Sequence, residues 1–134
     1  MSKVIYCKPD PDNIWGAQID LTDQTLTQST IIMLNDNSFN KNAQAAGQAY
    51  IRLPTAIVDG QQITVLCTTG QCQYIVMDTL NSTSSPQFSV HGRISSSIAT
   101  GLQSSLYGLQ CQLMGAGSIW YINTINDPNS WPQT

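Results

Sequence analysis

Few residues in this chain could do chemistry, and the most suggestive are two cysteines that lie close together. Cys67 and Cys72 enclose the four residues TTGQ in the stretch VLCTTGQCQYIV. Such a pair could bind a metal, form a disulfide, or pack as small apolar side chains. A structural zinc site normally combines tight C-x2-C turns with further Cys or His partners. Here Cys7, His91 and Cys111 each stand alone, so the spacing argues against a metal site.

The same stretch predicts a β-hairpin with a turn at Thr69-Gly70. In that register Cys67 lies opposite Cys72, and alternation places both on an apolar face of the sheet. The other members of that face would be Ile63, Val65, Tyr74 and Val76. A disulfide between opposed residues is geometrically possible, but a cytoplasm would keep it reduced. The favoured interpretation is that all four cysteines are small core residues.

Other catalytic patterns are missing from the sequence. A nucleophilic cysteine needs a nearby base, and His91 is the single histidine. The segment DPDN lacks the glycine and the distal glutamate of a calcium loop. There is no phosphate-binding glycine loop and no serine nucleophile elbow. We therefore predict a protein that is not an enzyme, with no catalytic residues, no cofactor, no metal and no small-molecule substrate.

The composition indicates the kind of element that must position these residues. Charged residues make up 10% of the 134, and every acidic residue is an aspartate. Surface helices are usually rich in Glu, Lys and Ala, whereas Thr, Ile, Val and Tyr suit strands. Turn signals separate the short strand-like runs, including Asp59-Gly60 and a turn near Gly115-Ala116-Gly117 in a second hairpin. The sequence predicts an all-β protein, an antiparallel β-sandwich or jelly roll of about eight strands.

The chain length is suited to one domain with a sizeable core. We expect a single β-sandwich domain over residues 1–134, with a short N-terminal arm (1–13) and a short C-terminal arm (126–134). The C-terminal arm NDPNSWPQT contains two prolines and an isolated tryptophan. The N-terminal arm could add a strand to the sheet edge of a neighbouring subunit.

Charge and hydropathy exclude several partners. Five scattered Lys and Arg residues cannot form the basic patch that nucleic-acid binding requires, so no nucleic-acid partner is expected. The longest apolar run, TIIML, is too short to span a bilayer, and no membrane association is expected. The N-terminus has no apolar signal region, which predicts synthesis in a cytoplasm.

A resemblance to a family appears in two stretches. IRLPTAIVDGQQITVLCTTGQCQYIV (51–76) has a strand, Leu-Pro, a glycine turn, an I-x-V strand and a further strand, and GSIWYIN (117–123) is a Trp-bearing strand after a small turn. This order resembles the small β-modules of tailed-phage structural proteins, which are capsid decoration (cement) proteins and tips of tail or head fibres. The resemblance covers about half of the chain and brings no catalytic residues with it.

The resemblance implies a virion structural protein, made in the host cytoplasm and assembled as a homotrimer. A chain that starts at Met1 with a strand and without a shaft suits a decoration protein that binds the major capsid protein and stabilises a phage head. The alternative is a receptor- or carbohydrate-binding tip module of a tail or head fibre. Candidate interface residues are Trp15, Trp131 and Pro132, because aromatic side chains are enriched at binding hot spots.

Overall fold

A computed structural model describes residues 2–79, 87–90, 93–95, 97–101 and 109–125. These residues form twelve β-strands and one short 3₁₀ helix at Asp36–Ser38. The strands are β1 (Lys3–Tyr6), β2 (Lys8–Pro9), β3 (Trp15–Asp20), β4 (Thr30–Leu34), β5 (Ala45–Arg52), β6 (Gln62–Cys67), β7 (Tyr74–Asp78), β8 (Gln87–Val90), β9 (Arg93–Ser95), β10 (Ser97–Gly101), β11 (Leu109–Ala116) and β12 (Ile119–Ile125). The prediction of an all-β fold is confirmed, and the expected number of about eight strands is too low.

The strands form two sheets that enclose one core. The seven-stranded sheet has the order β1-β4-β6-β11-β12-β8-β9, and the five-stranded sheet has the order β10-β7-β5-β3-β2. From β3 to β7 the chain changes sheet at every connection, so that sequential strands face each other across the core. In this segment, two consecutive strands of one sheet are therefore separated along the chain by a strand of the other sheet.

Because of this alternation, the strands that lie side by side in one sheet after passing through the other run parallel. In the seven-stranded sheet β4 lies parallel to β1 and to β6, with Thr30 paired to Lys3 and to Ile63. In the five-stranded sheet β5 lies parallel to β3 and to β7, with Ala49 paired to Ala17 and to Ile75. The prediction of an antiparallel sandwich is therefore wrong, because both sheets are mixed. A connection that returns through the opposite sheet brings the next strand in parallel, whereas a hairpin reverses the direction of the chain.

The second half of the chain contains the antiparallel pairs of the larger sheet. β11 pairs with both β12 and β6, and a bulge lies between Gln112 and Leu113. The predicted hairpin in this region is confirmed, but its turn lies at Gly117-Ser118 and Gly115 belongs to β11. Gly117 has a φ of 63°, which glycine adopts without steric cost. Its backbone N–H donates to Asp59 Oδ1 at 2.8 Å, which joins this turn to the predicted Asp59-Gly60 turn.

The core lies between the two sheets and is made of strand residues from both. Trp120 of the second hairpin is fully buried. Buried side chains also include Ile51 and Met77 of the smaller sheet, and Ile32 and Leu113 of the larger one. Burial of apolar area contributes about 25 cal/mol per Å², so this interlayer core is the main source of stability.

The predicted hairpin at Cys67 and Cys72 is wrong. β6 ends at Cys67 in the larger sheet, and β7 begins at Tyr74 in the smaller sheet. Residues 67–73, which we call the cysteine connection, therefore lead from one sheet to the other. A turn signal and two flanking apolar runs are common to a hairpin and to such a crossing, so local sequence could not separate them. Tyr74 and Val76 consequently lie half-buried on the outer side, while Ile75 and Met77 face the core.

Of the two predicted arms, the structure describes the N-terminal one. Residues 1–13 contribute β1 to an edge of the larger sheet and β2 to an edge of the smaller one, with the buried Cys7 between them. Residues 126–134 lie outside the described residues. Among the described residues, no helix has the length and apolar character needed to cross a membrane.

Candidate binding cleft on the five-stranded sheet

The outer face of the five-stranded sheet carries polar and aromatic side chains in register. Along β5 the buried Ala49 and Ile51 alternate with the half-buried Tyr50 and Arg52. Side chains of a strand alternate between the two sides of its sheet, so Tyr50 and Arg52 point away from the core. This alternation is visible in the sequence AYIR and could have located the outer face before the structure was known.

The parallel register aligns charged residues from three strands. Arg52 of β5 is paired at its backbone with Asp20 of β3 on one side and with Asp78 of β7 on the other. Two residues before Arg52 on β5, Tyr50 is paired at its backbone with Gln18 of β3. Residues from three distant parts of the chain thereby form one continuous surface.

Two aromatic rings and a guanidinium group stack on this surface. The rings of Trp15 and Tyr50 lie 5.2 Å apart between centroids, at an interplanar angle of 22°. The Arg52 guanidinium carbon lies 5.3 Å from the Tyr50 ring centroid, within cation–π range. The three groups are thus ordered in a row, with a planar aromatic surface at one end and a cation at the other.

A hydrogen-bond network fixes the polar end of that row. Arg52 Nε donates to Asp78 Oδ1 at 3.1 Å, and Arg52 Nη2 donates to the Tyr50 hydroxyl at 2.5 Å. The Tyr50 hydroxyl in turn donates to Asp78 Oδ2. The side chains of Arg52 and Asp78 keep 31% and 22% of their surface exposed, so this ion pair is screened by solvent and orients groups more than it stabilises the fold.

The electrostatics keep these groups in defined protonation states. Burial and the hydrogen bond to Asp78 both raise the pKa of Tyr50, which stays a neutral phenol at physiological pH. Burial opposes ionisation of Asp20, but hydrogen bonds from Thr22 and the charge of Arg52 outweigh it and lower the pKa of the carboxyl. Thr22 donates to Asp20 Oδ1 through its backbone N–H at 3.0 Å and its hydroxyl at 2.7 Å. The surface therefore offers a fixed carboxylate acceptor.

These residues line a cleft, which we call the outer cleft. Its volume is about 290 Å³. The lining residues are Trp15, Gln18, Ile19, Asp20, Tyr50 and Arg52. Small-molecule pockets range over roughly 300–1,000 Å³, so the outer cleft has room for a ligand of about one ring.

Trp15 is positioned by the turn that precedes β3. Asp10 is buried, and its Oδ2 accepts the backbone N–H of Trp15 at 2.7 Å and that of Ile14 at 3.1 Å. The backbone N–H of Asp12 donates to Oδ1 at 2.8 Å. The hydrogen bond from Trp15 contributes most to lowering the pKa of Asp10, and the bonds from Asp12 and Ile14 add to it. Together they hold Asp10 as a carboxylate.

A bulge also sets the place of Trp15 on the sheet. Trp15 pairs with Ala45 and Ala17 pairs with Ala49, so β5 uses two more residues than β3 over this interval. A Cβ atom at Gly16 would lie 1.9 Å from the carbonyl oxygen of Ala46, a distance that no side chain tolerates. Glycine is therefore required at this bulge, beside the tryptophan that lines the outer cleft.

The cysteine connection, by contrast, is closed to ligands. Cys67 and Cys72 are each 1% exposed, and their thiols donate to backbone carbonyl oxygens of Thr69 and Tyr74. The two neighbouring thiols interact, which lowers the pKa of Cys67 and raises the pKa of Cys72. Burial raises the pKa of Cys7 and of Cys111 to about 12, and at Cys7 it outweighs a backbone hydrogen bond at Lys8 that lowers the pKa. All four cysteines are free and buried, as predicted.

The connection is anchored at its tip by the 3₁₀ helix. The Thr69 hydroxyl donates to Asp36 Oδ1, and Gln71 Nε2 donates to the same oxygen at 3.2 Å. These two bonds lower the pKa of Asp36. In the part of the chain that the structure describes, no group of three or more His, Cys or Asp side chains is arranged to hold a metal ion.

Of the predicted interface residues, the structure places one. Trp15 lies in the outer cleft, whereas Trp131, Pro132 and also His91 lie outside the described residues. The sequence analysis missed Tyr50, Arg52 and the carboxylates beside them, since no local motif joins residues on different strands.

The chain was compared with protein-family models, with curated proteins and with solved structures, and none of them matches it. The residues of the outer cleft are therefore the basis for inferring a function.

Proposed function

We propose that this protein is a non-enzymatic virion structural protein that binds carbohydrate through the outer cleft, as a receptor-recognising module. The observation that carries the proposal is the row formed by Trp15, Tyr50 and Arg52 on an open sheet face. A sugar ring has an apolar face of C–H groups and a rim of hydroxyls. Planar aromatic surface suits the first, and fixed donors and acceptors suit the second.

The polar groups of the outer cleft supply both donors and acceptors for the hydroxyls of a sugar. Arg52 carries several N–H donors, Asp20 is an acceptor, and Gln18 offers one of each. Thr22 and Asp78 already hold the charged groups in place, so little side-chain freedom is lost on binding. A pre-organised cleft of this kind suits ligand recognition, and the proposal includes no covalent step.

The test is binding to a glycan array, followed by calorimetric titration with each glycan that binds. We expect Trp15→Ala to weaken binding by roughly tenfold or more, the usual effect of losing an aromatic anchor. Tyr121→Ala is the matched control, since Tyr121 is an aromatic residue of the other sheet that is 42% exposed. A wild-type protein that binds no glycan, or a Trp15→Ala protein that is folded and binds normally, would refute the proposal.

A second candidate is the decoration role, in which a homotrimer binds the major capsid protein. It is favoured by β1, which forms an edge of the larger sheet and leaves Val4 and Tyr6 45% and 56% exposed. An edge strand with apolar residues is suited to pairing with another chain. Light scattering after size exclusion, with and without expanded phage shells, tests it. A stable monomer with no affinity for shells would exclude this role.

A further inference from the structure

The outer cleft adjoins a second, larger cleft near the N-terminus. This N-terminal cleft has a volume of about 550 Å³. Its lining residues are Ile5, Tyr6, Lys8, Pro9, Pro11, Gln18, Ile19, Asp20, Leu21 and Gln24. Three of these, Gln18, Ile19 and Asp20, also line the outer cleft. The two clefts therefore share one wall, the outer part of β3, and we call the adjoining pair the groove.

We propose that this groove binds a neutral oligosaccharide, with one ring against Trp15 and Tyr50 and a further ring against Tyr6. This inference rests on the proposed function and adds the class of ligand. The N-terminal cleft has an aromatic residue, Tyr6, as its exposed platform, and Lys8 as a donor beside it. Each half of the groove thus contains the same pair of features, an aromatic surface next to a charged donor.

Charge decides between neutral and acidic glycans. The groove carries two cations, Lys8 and Arg52, and one lining carboxylate, Asp20. Arg52 is already paired with Asp78 at 3.1 Å, so the four charges balance. The groove thus has no excess of positive charge to favour sialylated or uronic glycans, which would also meet Asp20 and Asp78. Neutral hydroxyls can bond to all of these groups without charge repulsion.

Shared lining predicts that affinity depends on ligand length. A monosaccharide can occupy only one half of the groove, whereas an oligosaccharide that spans both halves binds the second ring without a second loss of translational freedom. We expect a gain of roughly tenfold, the effect of one aromatic anchor, between a monosaccharide and a tetrasaccharide of the same sugar.

The experiment is a calorimetric titration of the full chain with neutral gluco-, manno- and galacto-oligosaccharides of increasing length and with carboxylated counterparts. Tyr6→Ala should abolish the gain with length. Tyr6 is exposed, so this variant should fold, which circular dichroism checks. Tyr121→Ala, the exposed aromatic control on the other sheet, should keep the full gain.

The outcomes separate this inference from the function on which it rests. Binding that is independent of length, a normal length gain in Tyr6→Ala, or a preference for carboxylated glycans would overturn the inference and leave carbohydrate binding intact. No binding to any sugar would overturn both. If sedimentation shows that Tyr6→Ala instead dissociates an oligomer, the N-terminal cleft is covered by a second copy of the chain, and the inference is wrong.

Discussion

The cysteine connection and the outer cleft differ in how their polar or reactive residues come together. In the first they are close in sequence, and in the second strand pairing brings them together. The connection places two reactive residues, Cys67 and Cys72, within six positions of the chain, yet both thiols are 1% exposed. The outer cleft collects ordinary residues from β3 and β5, two of which are bonded to Asp78 of β7, and leaves them open to solvent in a cleft of about 290 Å³. Proximity in sequence thus created a core element, and proximity across parallel strands created the candidate site.

The two regions also share a device, a carboxylate that fixes backbone or hydroxyl donors. Asp36 accepts the Thr69 hydroxyl at the cysteine connection, and Asp10 accepts the N–H of Trp15 beside the outer cleft. In the first region the carboxylate holds a crossing between sheets. In the second it holds the residue that forms the aromatic platform.

The largest expected effect concerns thiol reactivity in the cysteine connection. Iodoacetamide should label Cys67 and Cys72 at least about 1,000-fold more slowly in the folded protein than in urea, because labelling requires rare opening of the core. The rates are measured by mass spectrometry of peptides. A cysteine introduced by Thr68→Cys, at an exposed position next to Cys67, is the control and should react fast. Rapid labelling of both native thiols would show that the connection is open, and the contrast with the outer cleft would disappear.

The next effect tests the bulge beside Trp15. Gly16→Ala should lower the free energy of unfolding by about 1–3 kcal/mol, since its Cβ would overlap the Ala46 carbonyl. It should also weaken glycan binding, because the position of Trp15 depends on this bulge. Gly47→Ala on β5 is the matched control, since its Cβ would meet only the Gln73 side chain at 3.5 Å. Urea unfolding measures the stability of both variants. Equal stability of the two variants would mean that the bulge does not constrain the outer cleft.

The smallest effect compares the two anchoring carboxylates through pH. The folded-state pKa values of Asp10 and Asp36 lie below the ordinary 3.8, so each stabilises the fold above that pH and loses its contribution as pH falls through the folded value. Asp10→Asn and Asp36→Asn should each reduce the loss of stability between pH 5 and about pH 2.

Urea unfolding across this pH range measures that dependence. Thr69→Val is the control for Asp36, because it removes the donor that lowers the carboxyl pKa and leaves the carboxylate in place. Thr69→Val should also reduce the loss of stability between pH 5 and about pH 2. An unchanged pH dependence in Asp36→Asn would show that this carboxylate is not the anchor of the connection.

The sequence was informative where local pattern and side-chain burial coincide. Composition predicted an all-β fold, the glycine turns predicted the β11–β12 hairpin, and apolar surroundings predicted four buried cysteines. It failed where two arrangements share one local pattern, as at the cysteine connection, which is a crossing between sheets and not a hairpin.

By itself, then, the sequence determined which residues are apolar, which positions turn, and along β5 which side chains alternate, since these depend on near neighbours in the chain. Only the tertiary structure decided which strands pair. Parallel pairing joins Ala17 to Ala49 and Ala49 to Ile75, partners 32 and 26 residues apart with no fixed period. Such pairings are selected by burial of the whole core and not by any local preference. The outer cleft exists because that selection placed Arg52 between Asp20 and Asp78, and no short segment of the chain contains that information.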